Sequence, residues 1–85
     1  MNGYTMFKEL LTYQRQYIGK RIRIISMVDP FPIPSGTMGI ITGVDDIGQY
    51  QVNWDNGSTL SVIPDEDEYE IFGDDEGGKT ILELK

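Results

Sequence analysis

Eight carboxylates crowd into residues 65–76: Asp65, Glu66, Asp67, Glu68, Glu70, Asp74, Asp75 and Glu76. Paired carboxylates can carry acid–base catalysis, and clustered ones can hold hard cations. Acid–base chemistry here has no partner group, because the run contains no lysine and the whole chain has neither histidine nor cysteine. The same absences remove an imidazole base, an imidazole or thiolate metal site, a cysteine nucleophile and any disulfide. A twelve-residue calcium loop begun at Asp65 puts Asp67 at its third position and Glu76 at its twelfth. It also puts Tyr69 at the fifth and Glu70 at the sixth, where glycine must make the turn. The loop fails, so no catalytic residue, bound metal or cofactor is expected, with loose divalent-cation binding by the run kept as an alternative. Two readings remain for the acidity. One is a solvated surface; the other is a phosphate-mimicking face that covers the basic groove of a nucleic-acid-binding protein.

A second group is basic. Lys20, Arg21 and Arg23 interleave with Tyr17 and Ile25 and resemble a small nucleic-acid patch. Three phosphate contacts supply little affinity, and the chain carries a net charge of −7. Residues 1–23 hold five basic and one acidic residue, the rest two basic and thirteen acidic. Pairing of these arginines with the acidic C-terminal region is therefore expected, with no direct nucleic-acid contact. Phe31 and Ile33, set between prolines, either face a partner or fold back as a lid on the core. Trp54 reads as core or rim packing in preference to an aromatic cage. The expected partner-binding residues are thus Asp65, Glu66, Asp67, Glu68, Asp74, Asp75 and Glu76, together with Phe31 and Ile33.

These side chains need elements to position them, and 85 residues allow a single small domain burying about 60–65% of its unfolded surface. Over residues 5–18 apolar side chains recur at helical spacing. Phe7, Leu10, Leu11 and Ile18 form a stripe with Met6, Tyr13 and Tyr17 beside it. Thr5 suits an N-cap and Gly19 a stop. The apolar arc is wide enough that the Met6, Phe7, Leu10, Tyr13, Tyr17 face is a candidate for self-association. Period-two alternation over 20–28 predicts a strand with Ile22, Ile24, Ser26 and Val28 on its core face. Residues 29–36 carry Pro30, Pro32 and Pro34 and must be an extended loop or edge. Strands follow at 37–44, on both sides of Asp55-Asn56-Gly57, and at 69–72. Residues 73–78 form an acidic, glycine-rich connector, and 80–84 a sixth short strand or a frayed end. A three-residue hairpin loop with Gly57 left-handed sets Val52 opposite Leu60 and Tyr50 opposite Val62, sorting apolar from polar faces.

The expected fold is mainly β (α+β): a small five-stranded SH3-like barrel, residues 19–72, preceded by one N-terminal amphipathic helix and followed by a tail at 73–85. No span approaches the roughly 20 apolar residues a membrane helix needs. With no leader-like N-terminus, a cytoplasmic protein without membrane contact is expected.

The runs 19–27, 32–39, 44–49 and 52–58, including Pro34-Ser35-Gly36 and Asn53-Trp54-Asp55-Asn56-Gly57, resemble a family of short bacterial, phage and mobile-element proteins described as a domain of unknown function. The resemblance covers about 19–72, implies an SH3-like barrel and implies no catalytic residues. The expected function is a non-enzymatic protein-binding module. One form is a phage or mobile-element inhibitor, of the anti-CRISPR kind, acting on a CRISPR effector or other nucleic-acid-binding protein through its acidic surface. The alternative is an adaptor that binds through its helix face and proline-rich loop.

Overall fold

A computed structural model describes residues 3–73 and 81–85, with side chains from Phe7 onward. The element order is α1 (Gly3–Arg15), β1 (Arg21–Ser26), β2 (Met38–Val44), β3 (Tyr50–Trp54), β4 (Glu68–Phe72) and β5 (Ile81–Leu84). The fold is mainly β, with five antiparallel strands in one sheet ordered β3-β2-β1-β4-β5 and one N-terminal helix. The sheet is not closed.

Helix α1 already runs at Gly3, which places Thr5 inside it instead of at its cap. It also ends earlier than 18. From Gln16 the chain tightens into i→i−3 hydrogen bonds, with Gln16, Tyr17 and Ile18 donating to the carbonyls of Tyr13, Gln14 and Arg15. Gly19 then takes a φ of 90° and donates to the Ile41 carbonyl at 2.7 Å, which turns the chain onto β2. α1 packs against β2. Its buried line is Leu11 and Gln14, continued by Tyr17, whereas Phe7, Leu10, Tyr13 and Ile18 are exposed. The wide apolar arc is thus only grazed by the sheet.

β1 departs from simple alternation. Ile22 and Ile24 are buried as expected, but the register against β4 shifts between Ile24 and Ser26. That bulge reverses the phase, so Met27 enters the core and Val28 is 63% exposed, not the expected Ser26 and Val28. The Asp55–Gly57 turn has the expected three-residue form: Gly57 has a φ of 89° and donates to the Trp54 carbonyl, and Trp54 N–H donates to Ser58. Tyr50 and Val62 exchange both backbone hydrogen bonds at 2.9 Å, also as expected. The pairing ends there. The Trp54 indole N–H takes the Leu60 carbonyl at 2.8 Å, and the chain between Ser58 and Val62 leaves the ladder, so Val52 and Leu60 form no strand pair. The segment expected as a fourth strand is a single bridge, and Ile81–Leu84 supplies the fifth strand instead.

The core gathers Ile22, Ile24, Ile41, Val52, Val62 and Ile71 around Tyr17, Tyr50 and Tyr69, with Trp54, Met27 and Ile33 at its margins. Each such aliphatic side chain contributes roughly 1.5–3 kcal/mol by leaving water. β2 and β3 meet at Gly39, opposite Trp54. A Cβ there would lie 2.6 Å from Val52 Cγ1 and 2.9 Å from both the Asn53 carbonyl oxygen and Trp54 Cε3. Gly39→Ala should therefore lower stability by about 1–3 kcal/mol through overpacking. Urea denaturation followed by Trp54 fluorescence will measure it, and an unchanged midpoint would show that the two strands can separate without cost.

Candidate functional site

The acidic run does not act as one surface. Asp65 and Glu66 occupy an exposed turn and Glu68 is exposed at the start of β4, but Asp67 is only 4% exposed. Its Oδ1 accepts the Val28 N–H and its Oδ2 the Ile63 N–H, both at 2.8 Å, tying the end of β1 to the turn before β4. Asp67 is removed from the expected partner-binding set because both oxygens face the protein's own backbone. Asp74, Asp75 and Glu76 lie outside the described residues. Among the described residues no three carboxylates come together in a way that could hold a metal ion.

The proline-rich loop divides in the same manner. Thr37 Oγ1 donates to the Pro34 carbonyl, and Gly36, with a φ of 90°, donates to Ile24, so the loop returns tightly to β1. Ile33 is buried in the core, which makes it a lid and corrects its expected role as a contact residue. Phe31 is 86% exposed, over a shallow depression shared with Asp29, Ser58 and Leu60. The arginines pair internally. Arg21 grips Asp55 through two hydrogen bonds of 2.9 and 3.1 Å, holding that carboxyl below the usual range and raising its own pKa. Arg23 lies 3.4 Å from Glu70, its partner across β1 and β4, and its guanidinium sits 5.1 Å from the Phe72 ring centre. The pairing of Arg21 reaches the hairpin, not the acidic C-terminal region.

What the helix leaves open is a groove of about 480 Å³. Phe7, Leu10, Tyr13 and Gln14 of α1 form one wall, Ile47, Gly48 and Gln49 of the β2–β3 turn another. Ile63, Pro64 and Asp65 close it below, and Glu83 and Lys85 at the β5 end complete it. Asp45 shapes the turn by accepting the N–H groups of Ile47 and Gln49, and Gly48 takes a φ of 83°. Gln14 Nε2 donates to the Gly48 carbonyl at 2.8 Å, locking helix to turn, while its Oε1 closes no aligned hydrogen bond.

Behind the groove runs a chain of aromatic rings in edge contact. Tyr13 meets Tyr17 at 5.7 Å, Tyr17 meets Tyr50 at 6.4 Å, and Tyr50 meets Tyr69 at 5.8 Å. The Tyr13 and Tyr17 hydroxyls share a 2.9 Å hydrogen bond, and Tyr69 donates to Glu83 Oε1 at 2.5 Å. Burial raises the pKa of Tyr17, Tyr50 and Tyr69. The hydrogen bond to Glu83 adds next for Tyr69, the Glu83 charge for Tyr50, and the bond to Tyr13 followed by the Glu83 charge for Tyr17. Gln14, Glu83 and this tyrosine chain were not singled out as a site from the sequence. The five tyrosines are visible there, but only folding brings 17, 50 and 69 together across more than 50 residues.

Two outcomes follow from these contacts. Asp67→Asn sets an amide N–H₂ against one of two buried backbone donors and should cost about 1–3 kcal/mol in denaturant, whereas Asp65→Asn should stay within about 0.5 kcal/mol. Equal effects would remove the distinction between them. In alkali, the raised folded-state pKa values mean that the three phenols stabilise the fold fully below about pH 10, the unfolded value, and lose that contribution as pH rises toward the folded values. The expected fall is about 1.4 kcal/mol per group for each pH unit above 10. Tyr69→Phe should flatten the alkaline limb, and the tyrosinate absorbance of Tyr17, Tyr50 and Tyr69 should appear together with unfolding. Ionisation of all tyrosines in the folded protein would overturn this.

Residues 6–72 match a family model described as "Domain of unknown function (DUF4314)". No curated protein and no solved structure matches the chain. The match begins at residue 6, so most of α1 lies within the family unit and not outside it, as the resemblance had implied, while 73–85 lies beyond it. With most of the helix and four of the five strands inside the matched span, the chain belongs to the DUF4314 family.

Proposed function

We propose that this protein is a non-enzymatic protein-binding module whose docking face is the groove beside α1 and the apolar side chains around it. One observation carries the reading: Phe7, Leu10, Tyr13 and Ile47, on two separate elements, stay exposed side by side around a preformed cleft. Large apolar side chains scattered singly need no explanation, but a grouped set around a concavity marks an interaction surface. An SH3-like barrel belongs to this reading as well. Its support is the Tyr50–Tyr69 ring contact, which brings β3 against β4 although β2 and β1 stand between them in the sheet order.

The second reading is an inhibitor, of phage or mobile-element origin and of the anti-CRISPR kind, that covers the basic groove of a nucleic-acid-binding protein. The exposure of Asp65, Glu66 and Glu68 together favours it, and Asp65 also borders the cleft. Affinity capture with paired variants separates the two. Leu10→Asp and Ile47→Asp should abolish capture of the partner at unchanged melting temperature, and charge reversal at Asp65, Glu66 and Glu68 should reduce it by less than about tenfold, as rim charges do. The reverse pattern, with capture lost in moderate salt, would replace the first reading by the second. Light scattering that shows a dimer, lost on Leu10→Asp, would make the occupant another copy of the chain.

A further inference from the structure

We infer that a second surface, the open backbone edge of residues 58–63, takes up an extended segment of a partner protein as an added β-strand beside Phe31. It neighbours the groove beside α1, with which it shares Gln49 and Ile63, but does not depend on it. The direction of the backbone is the first argument. The Ser58 carbonyl accepts the Trp54 N–H, the Leu60 carbonyl accepts the Trp54 indole, and Val62 exchanges both bonds with Tyr50. The carbonyls of residues 58, 60 and 62 therefore all turn toward β3. Successive peptide groups of an extended chain point to opposite sides, which turns those of Thr59 and Ser61 outward. Neither residue's N–H or carbonyl has a hydrogen-bond partner among the described residues. The row ends at Ile63, whose N–H goes to Asp67 Oδ2 and whose carbonyl accepts the Glu66 and Asp67 N–H groups. What this edge lacks is the second argument. Soluble proteins blunt exposed strand edges with charged side chains, proline or cover. Residues 58–63 contain neither a charge nor a proline, in a chain with 14 acidic residues, whereas the edge at β5 carries Glu83 with Lys85 beside it. The third argument is the depression along this edge. Ser58, Thr59 and Ser61 line it together with Asp29 and the 86% exposed Phe31. A strand laid there pairs its backbone with Thr59 and Ser61 and turns alternate side chains toward the Phe31 ring. A polypeptide brings donors and acceptors together at the two-residue strand repeat of about 6.6 Å, whereas a phosphate backbone brings acceptors alone. Asp29 is the one charged residue lining the depression, which favours a basic segment over an acidic one.

The test uses the full chain, labelled with ¹⁵N, and a short capped peptide of alternating threonine and valine with arginine at both ends. In the free protein the Thr59 and Ser61 amides should exchange with solvent unprotected, while Tyr50 and Val62 stay protected. The peptide should bind with a dissociation constant of about 1 mM or tighter, shift the Thr59 and Ser61 amides and slow their exchange. N-methylation of its central residues keeps the side chains but removes the backbone donors, and should weaken binding at least about tenfold. Phe31→Ala should weaken it at least about fivefold at unchanged melting temperature, because the ring is exposed, whereas Leu10→Asp should leave it as it is. Protection of Thr59 and Ser61 in the free protein would show that the edge is already covered, by the chain itself or, where protection grows with protein concentration, by a second copy. Either result would overturn the inference. So would the absence of saturable shifts at these amides, equal binding of the N-methylated peptide, or equal binding by Phe31→Ala. Loss of the peptide on Leu10→Asp would place it in the groove beside α1, overturning this inference while leaving the docking reading standing.

Discussion

The contact between the rings of Tyr50 and Tyr69 is the constraint on which the rest of the fold depends. Three inter-strand steps separate β3 from β4 in the sheet order, and a flat sheet would hold them about 14 Å apart. The ring centres are 5.8 Å apart, so the sheet must curl until its two halves face each other. Gly39 allows the close approach of β2 to β3, and the bulges in β1 and β2 provide the local bends. Tyr17 then caps the stack from the helix side, and Glu83 receives the Tyr69 hydroxyl from β5. One aromatic column thereby joins the end of the helix, both halves of the sheet and the C-terminal strand.

That column also explains why polar groups lie deep in so small a protein. Phenol rings contribute large apolar area and edge contacts worth about 0.5–1.5 kcal/mol each, but their hydroxyls must find partners. Tyr13 pairs with Tyr17 and Tyr69 with Glu83, the buried Tyr50 hydroxyl lies beside the Gln14 side chain, and the groove forms where the outer polar ends come near the surface. Gln14 and Asp67 do comparable work elsewhere. Each is nearly buried and each satisfies backbone groups of a turn that has no ladder partner.

The negative charge is correspondingly divided by role. Asp55 and Glu70 neutralise arginines, Asp45 and Asp67 hold turns, and Asp65, Glu66 and Glu68 meet solvent. A net charge read from composition does not distinguish these. Of the last group, Asp65 borders the cleft, whose apolar walls are interrupted by Gln14, Gln49, Glu83 and Lys85.

Period-two alternation placed β1 and β4 within a few residues, and the Asp55-Asn56-Gly57 turn with its Tyr50–Val62 register was determined by side-chain sorting alone. These are local constraints, since a strand buried on one face and a left-handed glycine leave few alternatives. The phase of β1 beyond Ile24 was not legible, because a bulge leaves no mark in the alternation until the strand pairs. Nor was the helix face, because seven apolar side chains over 6–18 compete for a sheet that covers only a narrow line, and Leu11 with Gln14 won through the Gly48 carbonyl. Sequence by itself thus determined the helix, the strands β1 to β4 to within a few residues, one turn and the absence of imidazole and thiol chemistry. Tertiary structure alone decided that Asp67 and Ile33 face inward and that Gln14, Glu83 and four tyrosines meet, because burial and hydrogen bonding between residues far apart in the chain exist only once the sheet has curled.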